Sequence, residues 1–282
     1  MGKIAYSWEL MQASWNVLRR DTRLLVFPLL SGICCLIVIA SFAIPVIASG
    51  HAQVPDHRLT QQEQIVYWAT LFCFYFANYF VITFFNVAIV SCAVARMAGG
   101  EPTVSGGLRE AFKRIHLIAG WALVAATVGL LLRIIEQYSK RAGQIVAAIL
   151  GAVWSIVTFL VVPVIVVEDK GPIEAAKRSA VLLKQTWGEQ LVGNFSFGLL
   201  FFLLSIPGVI GVVAGVMQLA AHNAPVGATL IAISVLYFVL LALVQSALSA
   251  IFQAAVYMYT QGITDNARGF PVVLLRDAMR AK

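Results

Sequence analysis

The sequence predicts an all-α integral membrane protein with six transmembrane helices, and three observations carry that reading. The composition is 60% hydrophobic and only 12% charged, against about 45–50% and about 25% for ordinary soluble chains. Six apolar runs, near residues 24–48, 65–95, 117–135, 143–167, 191–217 and 225–261, each approach or exceed the ~20 residues that cross a bilayer core. The basic residues are also asymmetric. Assigned to alternating sides of those runs, sixteen of the 20 Lys and Arg share one face, and only Arg58, Arg133, Lys140 and Arg141 fall on the other. By the positive-inside rule the rich face is cytoplasmic, with both termini inside, as expected of a multi-pass protein of the bacterial inner membrane.

The net charge of +7 does not point to nucleic acid, because the basic residues flank apolar runs instead of forming a stripe with interleaved aromatics. Anionic lipid headgroups are the expected partner. Cys34, Cys35, Cys73 and Cys92 all lie inside the runs, where a disulfide framework has no role, and read as small packing residues. The first run has arginines before it, but it begins too late and runs too long for a signal-peptide core of about 7–15 residues, so it is expected to stay in the mature protein.

Taken in order, the chain opens with a helical stripe of Ile4, Trp8, Met11, Trp15 and Leu18, with Lys3, Glu9, Gln12, Asn16 and Arg19 facing elsewhere. The first span follows, with Pro28 and Pro45, and then an outer loop holding His51, Asp56, His57 and Glu63. After the second span a similar stripe places Val104, Leu108, Ala111 and Ile115 on one face and Arg109, Lys113 and Arg114 off it. After the fourth comes Ile173, Ala176, Ala180, Leu183 and Trp187, with Lys177, Arg178 and Lys184 off the stripe. Gly171-Pro172 supplies a helix start, and Glu174 with Arg178 an i,i+4 pair. Helices with Trp on one face and Lys or Arg on the other belong in the interface plane.

The organisation is therefore a single transmembrane domain over 1–282 built from three repeats, each an interfacial amphipathic helix followed by a transmembrane hairpin. The repeats cover 1–96, 97–168 and 169–262, and a cytoplasmic tail of 263–282 starts another amphipathic segment at Phe270-Pro271. Three units of like handedness suggest a parallel repeat, whereas inverted repeats need an odd number of spans per unit. The second and sixth runs exceed the bilayer core at ~1.5 Å per residue, so they are expected to project, tilt or bend.

The stretch SWELMQASWNVLRRDTRLLVFPLLSG, Ser7 to Gly32, resembles the opening of an uncharacterised family of six-span bacterial membrane proteins, domain of unknown function 6159. The likeness rests on a tryptophan-bearing amphipathic helix, the corner Arg19-Arg20-Asp21 and the helix start Phe27-Pro28-Leu29-Leu30-Ser31-Gly32. It implies an architecture and no activity. More loosely, PVIVVEDKGPIEAAKRSAVLLKQ, Pro163 to Gln185, is similar to repeat corners in several bacterial multi-span families, including the membrane region attached to some glycerophosphodiester phosphodiesterases. No catalytic domain of that kind lies in these residues, so that activity is not carried over.

The chemistry is sparse. His51, His57, His116 and His222 are dispersed, and the outer-loop group of His51, Asp56, His57 and Glu63 reads first as solvated loop and second as a metal site. No metalloprotease, nucleophile-elbow or phosphate-loop motif occurs, and no catalytic residue, metal or cofactor is assigned. Arg133 and Glu136, spaced i,i+3, form a candidate ion pair near the outer end of the third span, either gating a pathway or anchoring the helix. Asn78, Asn86, Asn194, Gln245, Ser249 and Gln253 are the candidate lining of an intramembrane polar cavity, or partners in interhelical hydrogen bonds. Gly211 with Gly215, and Ala147 with Gly151, mark close helix crossings. Headgroup contacts are expected from Trp8, Trp15, Arg19, Arg20, Lys113, Arg114, Lys177, Arg178, Lys184 and Trp187. These features favour a non-enzymatic scaffold or membrane-organising subunit whose protein partner is another membrane protein or a second copy. A transporter or lipid-handling protein using the polar interior is the alternative.

Overall fold

The computed structural model describes residues 14–16, 18, 19, 21–48, 60–138, 140–185 and 187–261, with the side chains of 187–197 and 199 among those left outside the description. Among the described residues every regular element is helical, and six segments are long and apolar enough to cross a membrane. A 3-10 turn at Thr22–Leu25 leads into α1 (Val26–Ala48), followed by α2 (Gln61–Met97), α3 (Val104–Lys113), α4 (Ile115–Tyr138) and α5 (Lys140–Val157). Then come α6 (Val161–Glu168), α7 (Pro172–Gln185), α8 (Trp187–Ala220) and α9 (Ala224–Thr260).

Local chemistry sets the boundaries. Thr60 and Glu63 form a capping box at the start of α2: the Glu63 carboxylate accepts from the Thr60 backbone N–H at 2.7 Å and from its hydroxyl at 2.9 Å, satisfying donors the helix would otherwise orphan. Thr103 caps α3 by accepting from the Gly106 N–H at 3.1 Å. Pro172 and Pro225 occupy the first turns of α7 and α9, where the missing N–H costs nothing.

The fourth apolar run departs from expectation. Rather than one continuous helix over 143–167, the chain breaks at Thr158, Phe159 and Leu160 between α5 and α6. Pro163 has no N–H to offer the Phe159 carbonyl, which favours a break one turn earlier. The hydroxyl of Ser179, on α7, completes the joint by accepting from the Leu160 N–H at 3.1 Å and donating to the Val157 carbonyl at 2.6 Å. The turn is sharp. The Trp121 and Trp154 rings stack with centroids 5.8 Å apart, while a Cβ at the adjacent Gly120 would lie 2.7 Å from Pro172 Cγ. Trp154 and Pro172 are 18 positions apart (172 − 154), ~27 Å along a straight helix. To meet two neighbouring residues of α4 the chain must reverse between them: α6 runs on to Asp169, beside Arg114 at the entry of α4, and α7 is the returning arm that brings Ser179 back to the α5–α6 joint.

The structure groups the chain into two compact units. One comprises Val26–Ala95 and Glu101–Gln185, thus α1, nearly all of α2 and α3 to α7. Its tightest crossing is at Gly107, where a Cβ would meet Cys92 Sγ at 2.6 Å, Phe27 Cζ at 2.8 Å and the Ala88 carbonyl at 2.9 Å. Val87, Ala88, Ile89, Val90 and Ala93 of α2 are fully buried around it.

The other unit takes the chain through Leu25, Arg96–Gly100 and the chain from Thr186 onward. Its main feature is the α8–α9 hairpin. Cβ atoms at Gly208, Gly211 and Gly215 would collide with Phe238 at 2.7 Å, with Ser234 Oγ and with Ile231 Cγ1 at 2.6 Å, respectively. Gly215 and Gly227 pack backbone to backbone, so the expected Gly211 and Gly215 crossing is present. The Ala147 and Gly151 pair is looser: a Cβ at Gly151 would touch Leu132 at an ordinary 3.7 Å. The Tyr237 hydroxyl donates to the Leu204 carbonyl beside Pro207, in the turn where the proline leaves a carbonyl unpaired. In α9, Ala247, Leu248, Ala250, Ile251, Phe252 and Ala254 to Met258 are buried, whereas Ile233, Val235, Leu236 and Leu240 of its first half are exposed.

Candidate functional site

The largest concentration of polar chemistry in the first unit lies where α3 meets α4 and α6 meets α7. Arg114 caps the C-terminus of α3, immediately before α4. Its Nη1 donates to Glu110 Oε2 at 2.7 Å and its Nε to Asp169 Oδ1 at 2.6 Å. Lys113 Nζ binds the other Glu110 oxygen at 2.7 Å. Asp169 itself, the C-cap of α6, has φ 49°, the left-handed conformation that Asp tolerates better than most residues. Beside it Glu168 accepts from Arg178 Nε at 3.0 Å and pairs with Lys170.

Only 15% of the Arg114 side chain is exposed, so burial opposes its charge. The bonds to Glu110 and Asp169 outweigh that opposition and hold the guanidinium pKa above its usual range. Hydrogen bonds from Lys113 and Arg114 hold the Glu110 carboxyl below its ordinary range. Chemically this is a two-carboxylate clamp that ties the entry of α4 to the exit of α6. Its members donate and accept among themselves.

Several of the cations expected at headgroups have carboxylate partners within the chain. Arg114 and Arg178 are engaged by carboxylates, and Arg178 pairs with Glu168 rather than with Glu174. Lys113, 60% exposed, shares Glu110. Lys177 and Lys184 are exposed and have no ion-pair partner among the described residues. The buried face of α7 is Ala175, Ser179, Leu182 and Leu183, whereas Ile173, on the expected apolar stripe, is 62% exposed. On α3, Gly107 and Ala111 are buried and Ile115 beyond its end is exposed. Of the first amphipathic segment, Ser14 and Leu18 are buried and Trp15 and Arg19 exposed. Trp8, Arg20 and the Trp187 side chain lie outside the described residues, as do His51, Asp56, His57 and the tail 263–282. Glu63, grouped with those histidines in the sequence, is committed to its capping box.

The candidate polar cavity residues divide between the units. Asn78, half-buried in α2, donates to the Phe74 carbonyl of its own helix at 2.9 Å, and Asn86 is half-buried farther along. In the other unit Gln245 is exposed and lines a groove of about 330 Å³ between α8 and α9 with Gly198, Phe201, Ser205, Phe238 and Leu241. Ser249 and Gln253 are half-buried and do not line that groove. The Asn194 side chain lies outside the described residues. Arg133 and Glu136 do pair, at 2.7 Å, with 48% and 41% of their side chains exposed.

Glu110, Glu168, Asp169 and Ser179 were not singled out from the sequence as a site. A usable signal exists for one of them, Asp169: Arg114 directly precedes one span and Asp169 directly follows the next, so a hairpin brings opposite charges together. Ser179 carries no such signal, because its partners are the broken turn's own backbone.

Residues 65–267 match the family of unknown function DUF6159. The match includes the Pro163–Gln185 corner and begins after the Ser7–Gly32 stretch. No curated protein matches the chain.

Proposed function

Because the chain belongs to the DUF6159 family of unknown function, its role has to be read from its own residues, and we propose a non-enzymatic, membrane-organising scaffold or accessory subunit of the bacterial inner membrane. Its three repeats, each an interfacial helix with a transmembrane hairpin, form one domain with both termini in the cytoplasm and a collar of amphipathic helices on that face. The observation that carries this reading is the use to which the charged groups are put. Arg114, Glu110, Asp169, Glu168 and Arg178 are spent on one another, fastening helices, instead of converging on a cavity. The basic asymmetry supports the sidedness.

The groove at Gln245 favours a second reading, a transporter or lipid-handling protein. A single experiment separates the two. The full chain, extracted in lipid nanodiscs, is assayed by native mass spectrometry for stoichiometric companions. A scaffold retains a protein partner or a second copy, and Gln245→Leu leaves every companion in place. A stoichiometric lipid or metabolite that disappears in Gln245→Leu refutes the scaffold and establishes the handling protein.

A further inference from the structure

The exposed face of α7 carries Ile173, Lys177, Val181 and Lys184, at steps of four, four and three that align them on one stripe. Ile173 is 62% and Val181 47% exposed, and neither lysine has an ion-pair partner among the described residues. Glu174, the one acidic residue of α7, is also exposed and lies at the edge of the stripe, ~20° beyond Val181, so the face carries two cations against one anion. The opposite face is fixed: Ser179 is bonded into the α5–α6 joint and Leu182 is buried. Pro172 is wedged against Gly120, within the first two turns of α4. A rigid helix is thus held against spanning segments with alternating apolar and cationic side chains turned outward.

From this we infer that the Ile173–Lys184 face of α7 is a binding surface for anionic phospholipid, and that Lys177 and Lys184, not the arginines of the corner, recognise the headgroup charge. The inference rests on the collar reading above. The occupant follows from charge and shape together. Two free ammonium groups call for an anion, and apolar residues interleaved with them call for one attached to a hydrocarbon layer, into whose boundary such faces sink while lysines reach the headgroups. Arg114 and Arg178 already have carboxylate partners and contribute little charge to an incoming lipid.

The test uses the full chain in nanodiscs of phosphatidylcholine with and without phosphatidylglycerol, and in detergent titrated with either lipid, counting bound lipid by native mass spectrometry. Wild type should prefer phosphatidylglycerol, and Lys177→Gln and Lys184→Gln should each reduce that preference about fivefold. Both variants should bind phosphatidylcholine normally and unfold at the wild-type temperature in phosphatidylcholine alone. A double variant that keeps the wild-type preference overturns the inference and leaves the lysines to an acidic protein. A spin label at position 177 separates this failure from that of the collar: a label at headgroup depth beside an unchanged preference sinks the lipid site alone, whereas a label in bulk water removes the collar and the inference together.

Discussion

The α8–α9 hairpin and the α3–α7 corner hold helices together by opposite means. No Asp, Glu, Lys or Arg occurs between Glu189 and Asp265, and the hairpin closes on Gly208, Gly211, Gly215 and Gly227. The corner closes on Arg114, Glu110, Asp169, Glu168, Arg178 and Ser179. Lipid tails are as apolar as leucine, so burying apolar area gives helices no reason to pair within them, and close backbone packing must supply the attraction. Where the chain leaves the apolar layer and reverses direction, backbone groups and charges need partners, and directional bonds become the fastening. One chain therefore needs small residues in one place and polar ones in another for the same purpose.

The comparison breaks most visibly at the glycines. Gly215→Leu forces a side chain into the Gly227 backbone and Ile231, which cannot both retreat. We expect it to cost about 3 kcal/mol or more, at the upper end of overpacking penalties, read as loss of folded protein in detergent unfolding titrations. Gly151→Leu, at a looser crossing, should be far milder.

At the corner, Ser179→Ala removes the partner of both Val157 and Leu160 at once. Leaving buried backbone groups unsatisfied costs about 1–3 kcal/mol, and Ser179→Thr, which keeps the hydroxyl, should recover part of it. Hydrogen exchange confined to 157–164 would localise the effect.

Acid gives a smaller effect with a definite sign. Glu110 has its pKa lowered by Lys113 and Arg114, so its contribution is complete above its unfolded pKa, about 4.3, and disappears as pH falls through the lower folded value. Unfolding temperature should drop below about pH 4 in wild type, with a shallower slope in Glu110→Gln. The smallest effect belongs to Arg133→Gln: its pair with Glu136 is half exposed, and such pairs contribute about 0–1 kcal/mol. A large loss there would show that the pair does more than anchor α4.

These effects also divide what the sequence revealed from what it concealed. The long apolar runs became α1, α2, α4, α8 and α9 nearly to their ends, because a bilayer demands length and hydrophobicity that composition displays directly. Gly211 and Gly215 were legible as a spaced pair, but Gly227, their counterpart, sits on the other arm and has no local signature. The break at 158–160 was hidden for the same reason. Phe159 and Leu160 look like any spanning residues, and the hydroxyl that stabilises the turn comes from position 179. On α7 the apolar stripe begins at the exposed Ile173, whereas the face packed on the protein is Ala175, Ser179, Leu182 and Leu183, where small and polar positions give no hydrophobic signal of packing. Of the candidate cavity, each side chain was correctly seen as polar, yet periodicity within one helix cannot tell that Asn78 bonds its own backbone while Gln245 faces a groove.

The 3-10 turn at Thr22–Leu25 packs on α9 within one unit, and this gives the chain a definite assembly order. About 200 residues separate the two elements, a delay of roughly 10–40 s at ~5–20 residues/s during synthesis. Throughout that interval the surface Leu24 will bury has no α9 to meet. The unit cannot close from its N-terminal side inward. It closes backward, when the last spanning helix reaches the first turn, so chains stalled before Ala224 should be the ones most exposed to membrane quality-control proteases.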